Sequence, residues 1–488
     1  MAEQHYDLVV RNARIATAER SFDADIGIRD GVIVALEQGL AAGEREIDAA
    51  GRWVLPGGVD SHCHVEQLSG MGLICADDFH SATVSAAFGG NTTIIPFAAQ
   101  HRQDDIPEVL DDYARRAREK AVIDYAFHLI VTRVDEQALK HDIPQAIRDG
   151  ITSIKVFMTY ARMKLDDYSI LELMSVADRE GALMMVHAEN DDVIRWLADR
   201  LTGLGHQAPK YHAVAHAGLA ENEAAHRAIC LSRLLDTPLV IVHVSERETV
   251  ECVRRAQAQG ARIIAESCPQ YLFLTAEDID RPGVEGAKYC CSPPPRDEAS
   301  QQAVWSGLED GTLTLYSSDH APYRWDESGK LPKGEKTGFR EMANGLPGLE
   351  VRMPLLFSEG VRRGRISINQ FVELTATRHA RTYGLYPRKG TIAVGSDADL
   401  AIWDADREVT ISVDKLHDAV DYTPYEGMKI VGWPETVINR GRIVIDKGEL
   451  LVERGSGEFL PCATPEPVIE ARQNRPADTL IRRLVEAR

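Results

Sequence analysis

The chain has no apolar run approaching the roughly 18 residues needed to span a bilayer, which argues against a membrane protein. It also lacks the polar bias of a disordered chain, since 44% of its 488 residues are hydrophobic. Basic residues are in deficit: 55 Lys and Arg stand against 75 Asp and Glu, a formal charge of −20. Nucleic-acid binding is driven mainly by Lys and Arg neutralising phosphates, so a polynucleotide partner is not expected. Cysteine is sparse and scattered (Cys63, Cys75, Cys230, Cys252, Cys268, Cys290, Cys291 and Cys462), with no CxxC pair. A chain this long does not need disulfide staples, and adjacent Cys290-Cys291 is too short a spacing for a relaxed bridge, so all eight read as reduced thiols. The start, Met-Ala-Glu-Gln-His-Tyr-Asp, lacks the basic and apolar regions of a signal peptide, which points to the cytoplasm.

Length alone allows about three domains or one large barrel with an appendage. Strand-like segments fill residues 6–55, with Asp30-Gly31 as a hairpin signal, and an all-β stretch returns at 399–445, turning through Arg440-Gly441. Between them, eight apolar runs of strand length alternate with helical patterns: Val54–Val65, Thr92–Phe97, Tyr125–Val131, Ile151–Met158, Leu183–Glu189, Leu239–Ser245, Arg262–Glu266 and Thr314–Ser318. Helices are expected at Ile106–Lys120, Ile170–Glu180 and Glu221–Leu235. The strand count favours an α/β fold of the (β/α)8 TIM-barrel type over a doubly wound sheet. The expected division is 1–55 plus 386–450 as a small β-sandwich domain, 56–385 as the barrel, and 451–488 as an extension at a subunit interface.

Sixteen histidines are more telling, because several fall at strand ends. The first barrel strand ends Ser61-His62-Cys63-His64, and side chains two apart on a strand share a face, so His62 and His64 aim at one point while Cys63 faces away. His187 closes the fifth strand, His243 the sixth, and Asp319-His320 the eighth. Four histidines and a carboxylate on one rim suit Zn²⁺ or a similar cation, with His320 a neighbour of the ligands rather than one of them. Lys155 stands inside the apolar strand Ser153-Ile154-Lys155-Val156-Phe157. A buried ammonium is costly and cannot ligate a metal. By itself it reads as a snorkelling or ion-paired lysine. Opposite four histidines, its carbamate is favoured, because the two oxygens of a carbamate can bridge two cations.

The set His62-X-His64, Lys155, His187, His243 and Asp319 resembles the binuclear amidohydrolases, and within them the dihydropyrimidinase and D-hydantoinase (cyclic amidase) group. The resemblance covers nearly the whole chain. It rests on Ser153–Tyr160, Val186-His187-Ala188-Glu189-Asn190, Cys291-Ser292-Pro293-Pro294, Ser318-Asp319-His320, Asn344–Glu350 and Val420-Asp421-Tyr422. It implies that His62, His64 and Asp319 hold one zinc, that His187 and His243 hold the second, and that N6-carboxylated Lys155 bridges both together with a hydroxide. It further implies that Asp319 shuttles a proton, that Tyr160 stabilises the oxyanion, and that backbone groups of Ser292 and Asn344 bind the cyclic –NH–CO– unit. The implied activity is hydrolysis of the ring amide of a hydantoin, dihydropyrimidine or related cyclic imide by a cytoplasmic homotetramer. Two alternatives stay open: a non-catalytic dihydropyrimidinase-like scaffold, and an amidohydrolase acting on a linear amide or as a deaminase. Residues 66–73 and 211–218 depart from the family pattern, and both departures fall on substrate recognition.

Overall fold

The computed structural model of the chain describes residues 5–474 and residue 481. The N-terminal segment forms β1 (Leu8–Ala16), β2 (Ser21–Arg29), β3 (Val32–Glu37), β4 (Arg45–Asp48) and β5 (Trp53–Pro56). Asp30 and Gly31 both adopt positive φ, 53° and 77°, which gives the two-residue turn between β2 and β3 the twist its strands need. There follow β6 (Gly58–Cys63), β7 (Asn91–Ala99), β8 (Asp124–Tyr125), β9 (His128–Ile130), β10 (Ser153–Phe157), β11 (Leu183–His187), β12 (Leu239–Ile241), β13 (Ile263–Ser267) and β14 (Leu315–Tyr316). The C-terminal part adds β15 (Leu400–Thr410), β16 (Lys429–Asn439), β17 (Arg442–Asp446) and β18 (Glu449–Leu450).

Two sheets result. In the first the order is β18-β17-β16-β15-β5-β1-β2-β3, with β4 beside β1, so both ends of the chain share one sheet through the β5–β15 pairing. A bridge from Val32 to Asp397 brings the far edge round towards the start of β15, enclosing Val10, Ile26, Val54, Leu400 and Ile438. The second sheet runs β6-β7-β9-β10-β11-β12-β13-β14, all parallel, with β8 lengthening the third position. Its two edges meet at the C-terminal rim, where Cys63 bridges His320 and the His64 N–H donates to the His320 carbonyl at 2.7 Å. Eight parallel strands therefore curl into the expected barrel.

The two-residue period of a strand sorts the side chains. On β10, Ile154 and Val156 pack outward among the helices while Lys155 and Phe157 point inward. The helix Asp167–Glu180 starts at Asp166, whose carboxylate accepts from the Ser169 N–H, and stops at Gly181 with φ 97°, delivering the chain directly into β11.

The single strand expected over 54–65 is divided between the two sheets. Gly57 stands at the division, where a Cβ would lie 2.2 Å from Thr92 Oγ1 of β7, so a side chain there would block the close passage from one sheet to the other. After β18 the chain runs along the underside of its own barrel. The Leu460 N–H donates to Tyr125 O at 2.7 Å, and the helix Glu466–Gln473 buries Val468 and Ala471. The rest of the 451–488 extension, 475–480 and 482–488, lies outside the described residues. Among the described residues no helix is long and apolar enough to cross a membrane.

Candidate metal centre

His62, at the end of β6, is fully buried. Its Nδ1 lies 2.6 Å from Glu266 Oε1, while its Nε2 lies 2.9 Å from Lys155 Nζ and 3.1 Å from Asp319 Oδ1. His64 repeats the pattern, with Nδ1 2.7 Å from Gln67 Oε1 and Nε2 3.5 Å from the same Asp319 oxygen. Across the mouth, His187 Nε2 lies 2.8 Å from Glu189 Oε2, and its Nδ1 faces His243 Nε2 at 2.8 Å. Lys155 projects between the two groups with Nζ 4.1 Å from the centre of the Phe97 ring. Burial pulls its pKa down to about 8, against the opposing pull of Asp319 and Glu266. Burial would raise the Asp319 carboxyl, but His62, His64 and His243 hold it well below the usual carboxylate range.

These contacts test the donor set for cations. A neutral imidazole has one N–H. His62 and His187 place theirs on Glu266 and Glu189, which only accept, and His64 places its own on the Gln67 carbonyl oxygen. The nitrogens left without a hydrogen of their own are His62 Nε2, directed at an Asp319 oxygen and at the Lys155 ammonium, His64 Nε2, directed at the same Asp319 oxygen, and His187 Nδ1, directed at His243. His243 Nδ1 is buried with no partner, so the proton or lone pair on that ring has no second contact to fix it. Lone pairs converging on a carboxylate, with little hydrogen to separate them, are what a divalent cation requires. The ligand atoms of His62, His64 and Asp319 all lie within 4.8 Å of one another. Two buried carboxylates, Asp319 and Glu266, act on the single ammonium of Lys155, and a third, Glu189, is paired only with the imidazoles of His187 and His216, an imbalance that bound cations offset. The residues present fit a two-cation centre.

The centre forms the floor of a cavity of about 700 Å³ including its open mouth. Tyr160, Ser292 and Asn344 stand together on one wall. The Tyr160 hydroxyl faces the Ser292 and Asn344 side chains, and burial pushes its pKa up, so the phenol stays a protonated donor. Asn344 Oδ1 is buried without a partner, and Ser292 Oγ lies 3.3 Å from His212 Nε2. All nine site residues expected from the sequence therefore gather at one barrel mouth. Tyr160, His243 and Asp319 hold positive φ values of 66°, 40° and 47°, uncommon for such residues and frequent where a site dictates backbone shape.

The two atypical segments also reach this place. From residues 66–73, Gln67 holds His64, and Ser69, Gly70 and Met71 line the cavity with Met163 and Tyr323. From residues 211–218, His216 Nδ1 lies 2.9 Å from Glu189 Oε1, its ring 4.3 Å from that of His212. The sequence reading missed Glu266, Glu189 and Gln67. The signal that singled out Lys155, a charge inside an apolar strand, applies equally to Glu266 in Ile263-Ile264-Ala265-Glu266.

Comparison with known proteins agrees with this geometry. Residues 53–444 match the model of the amidohydrolase family. The chain is 43% identical to a D-hydantoinase of Ralstonia pickettii over 93% of its own length and 98% of that protein's, and 42% identical to a D-hydantoinase of Rhizobium radiobacter with the same coverage. Among solved structures it is similar to the dihydropyrimidinase of Brevibacillus agri, with TM-score 0.91 and 40% identity over 94% of this chain and 99% of that one.

Proposed function

The chain belongs to the amidohydrolase family, and from that premise we propose that it hydrolyses the ring amide of a hydantoin, dihydropyrimidine or related cyclic imide. The observation that carries this reading is the convergence of imidazole nitrogens on Asp319 beside the buried Lys155, on the floor of a pocket walled by Tyr160, Ser292 and Asn344. In this reading His62, His64 and Asp319 hold one Zn²⁺ and His187 and His243 the other. N-carboxylated Lys155 would be the ligand common to both; a lysine pulled to about pKa 8 has the neutral amine fraction that reacts with CO₂. Cations held there would supply Lewis acidity and would acidify a shared water towards neutral pH.

The protein's own groups do the rest. The backbone groups of Ser292 and Asn344 grip the –NH–CO– edge of the ring, with both residues lining the pocket. The Tyr160 hydroxyl donates to the carbonyl oxygen as it gains charge. Asp319 takes the proton of the attacking water and returns it to the departing ring nitrogen, so the ring opens to a carbamoyl or amide acid without releasing ammonia. Alongside this we place 1–55 with 386–450 as the β domain, 56–385 as the barrel and 451–488 as an extension, in a cytoplasmic homotetramer.

A panel of hydantoin, dihydrouracil and succinimide separates this reading from its competitors. Ring opening of at least one without ammonia release is the expected result. Ammonia release would make the protein a deaminase, and an inert, metal-free protein would make it a scaffold.

A further inference from the structure

Glu266 has no part in the proposed ligand set, yet one carboxylate of it touches both halves of the centre. It sits on β13, fully buried. Its Oε1 accepts from His62 Nδ1 at 2.6 Å and from the backbone N–H of His243 at 3.2 Å. Its Oε2 accepts from Ser317 Oγ at 2.7 Å, and Ser317 in turn meets Ser61. The bond to His62 fixes which nitrogen of that ring carries the proton and turns the other towards Asp319 and Lys155. The bond to His243 pins a residue whose φ is +40°, a conformation that persists only where its surroundings dictate it. Among the described residues the direct ion pair of Glu266 is with His62, and the Lys155 ammonium adds a longer-range attraction. Glu189 offers a contrast: it backs His187 at 2.8 Å and reaches no ligand of the other half.

We infer that Glu266 is a positioning residue that couples the two cation half-sites, orienting the imidazole of His62 in one and the backbone of His243 in the other. The inference rests on the two-cation reading above. Removal of a carboxylate that backs a metal-ligating histidine weakens binding about 10- to 100-fold. Because Glu266 serves both halves, both binding steps weaken when it is changed, whereas changing Glu189 weakens one.

The test is chelator competition on the full-length holoprotein, yielding two stepwise Zn²⁺ dissociation constants for wild type, Glu266→Gln and Glu189→Gln. The electronic spectrum of the Co²⁺-loaded proteins is recorded in parallel. Glu266→Asp keeps the charge but withdraws it by one methylene, and it decides the matter by the same readouts if Glu266→Gln does not fold. The expected result is a rise of tenfold or more in both constants for the Glu266 variants with an altered Co²⁺ spectrum, and a rise in one constant for Glu189→Gln. Unchanged constants, or weakening confined to one step in the Glu266 variants, overturn the coupling while leaving the two-cation reading intact. A wild-type protein that holds no cation overturns both.

Discussion

At Lys155 the cost of burying an ammonium meets the need for an anionic group between two sets of imidazoles. If the carbamate is the bridge, Lys155→Ala loses turnover entirely and holds fewer than two cations per chain, which elemental analysis and a ring-opening assay check together. Tyr160 is tested separately: Tyr160→Phe keeps the ring tilted against His187 and deletes only the donor, so kcat falls about 10²- to 10³-fold with metal content unchanged. These residues were legible in the sequence because each is out of place in its own segment. Histidines two apart on a strand share a face, and a lysine within Ile154 and Val156 demands a reason. Their supports were less legible, since Glu266 lies 204 residues from His62 and Gln67 has a neutral side chain on a loop. Only the closed barrel brings Glu266 to His62.

At the scale of elements, the excursion between β14 and the helices that follow is tied down by Lys330. Its buried ammonium donates to the carbonyls of Cys290 and Ala343, at 2.7 and 2.8 Å, and so clamps the two segments that present Ser292 and Asn344. Replacing it with methionine slackens that wall, and KM is expected to rise about tenfold with both cations retained, the size of losing a charge-assisted bond. Burial pulls the Lys330 pKa down to about 8, below the roughly 10.4 of an unfolded lysine. Between those values the unfolded chain binds the extra proton, so stability rises with pH across that window and the penalty is full below it. Wild type is therefore expected to gain on the order of 2 kcal/mol over Lys330→Met between pH 7 and 9.5, measured by denaturation of both proteins at each pH. The sequence showed the strands here but not the clamp, because loops 290–292, 324–336 and 343–345 carry no periodicity to read. For the same reason the run 54–65 read as one strand. Its apolar pattern is continuous across Gly57, and only the crowding against Thr92 reveals the change of sheet.

Across the whole molecule, the barrel and the sheet built from both chain ends are joined by a buried charge cluster. Lys389 Nζ lies 2.6 Å from Asp124 of β8 and 2.7 Å from Asp399 at the start of β15, and Arg440 adds a contact to Asp124 at 3.0 Å. Lys389→Ala removes the ion-pair partner of buried Asp399 and leaves Asp124 to Arg440 alone, and is expected to cost about 3–5 kcal/mol of stability. Denaturant unfolding measures that loss, while cation stoichiometry, set at the opposite end of the barrel, stays at the wild-type value. The sequence foretold that both ends meet in one β unit, from matching strand patterns. It did not foretell this joint, whose charges come from positions 124, 389, 399 and 440. The account as a whole stands on the barrel mouth being a two-cation hydrolase centre, and the most direct test is ring opening followed on protein of known metal content. Wild type is predicted to open a cyclic amide with two divalent cations per chain, to lose that activity when chelation empties the site, and to regain it on adding Zn²⁺. Ring opening that persists in metal-free protein, or its absence across the panel in protein holding two cations, would contradict it.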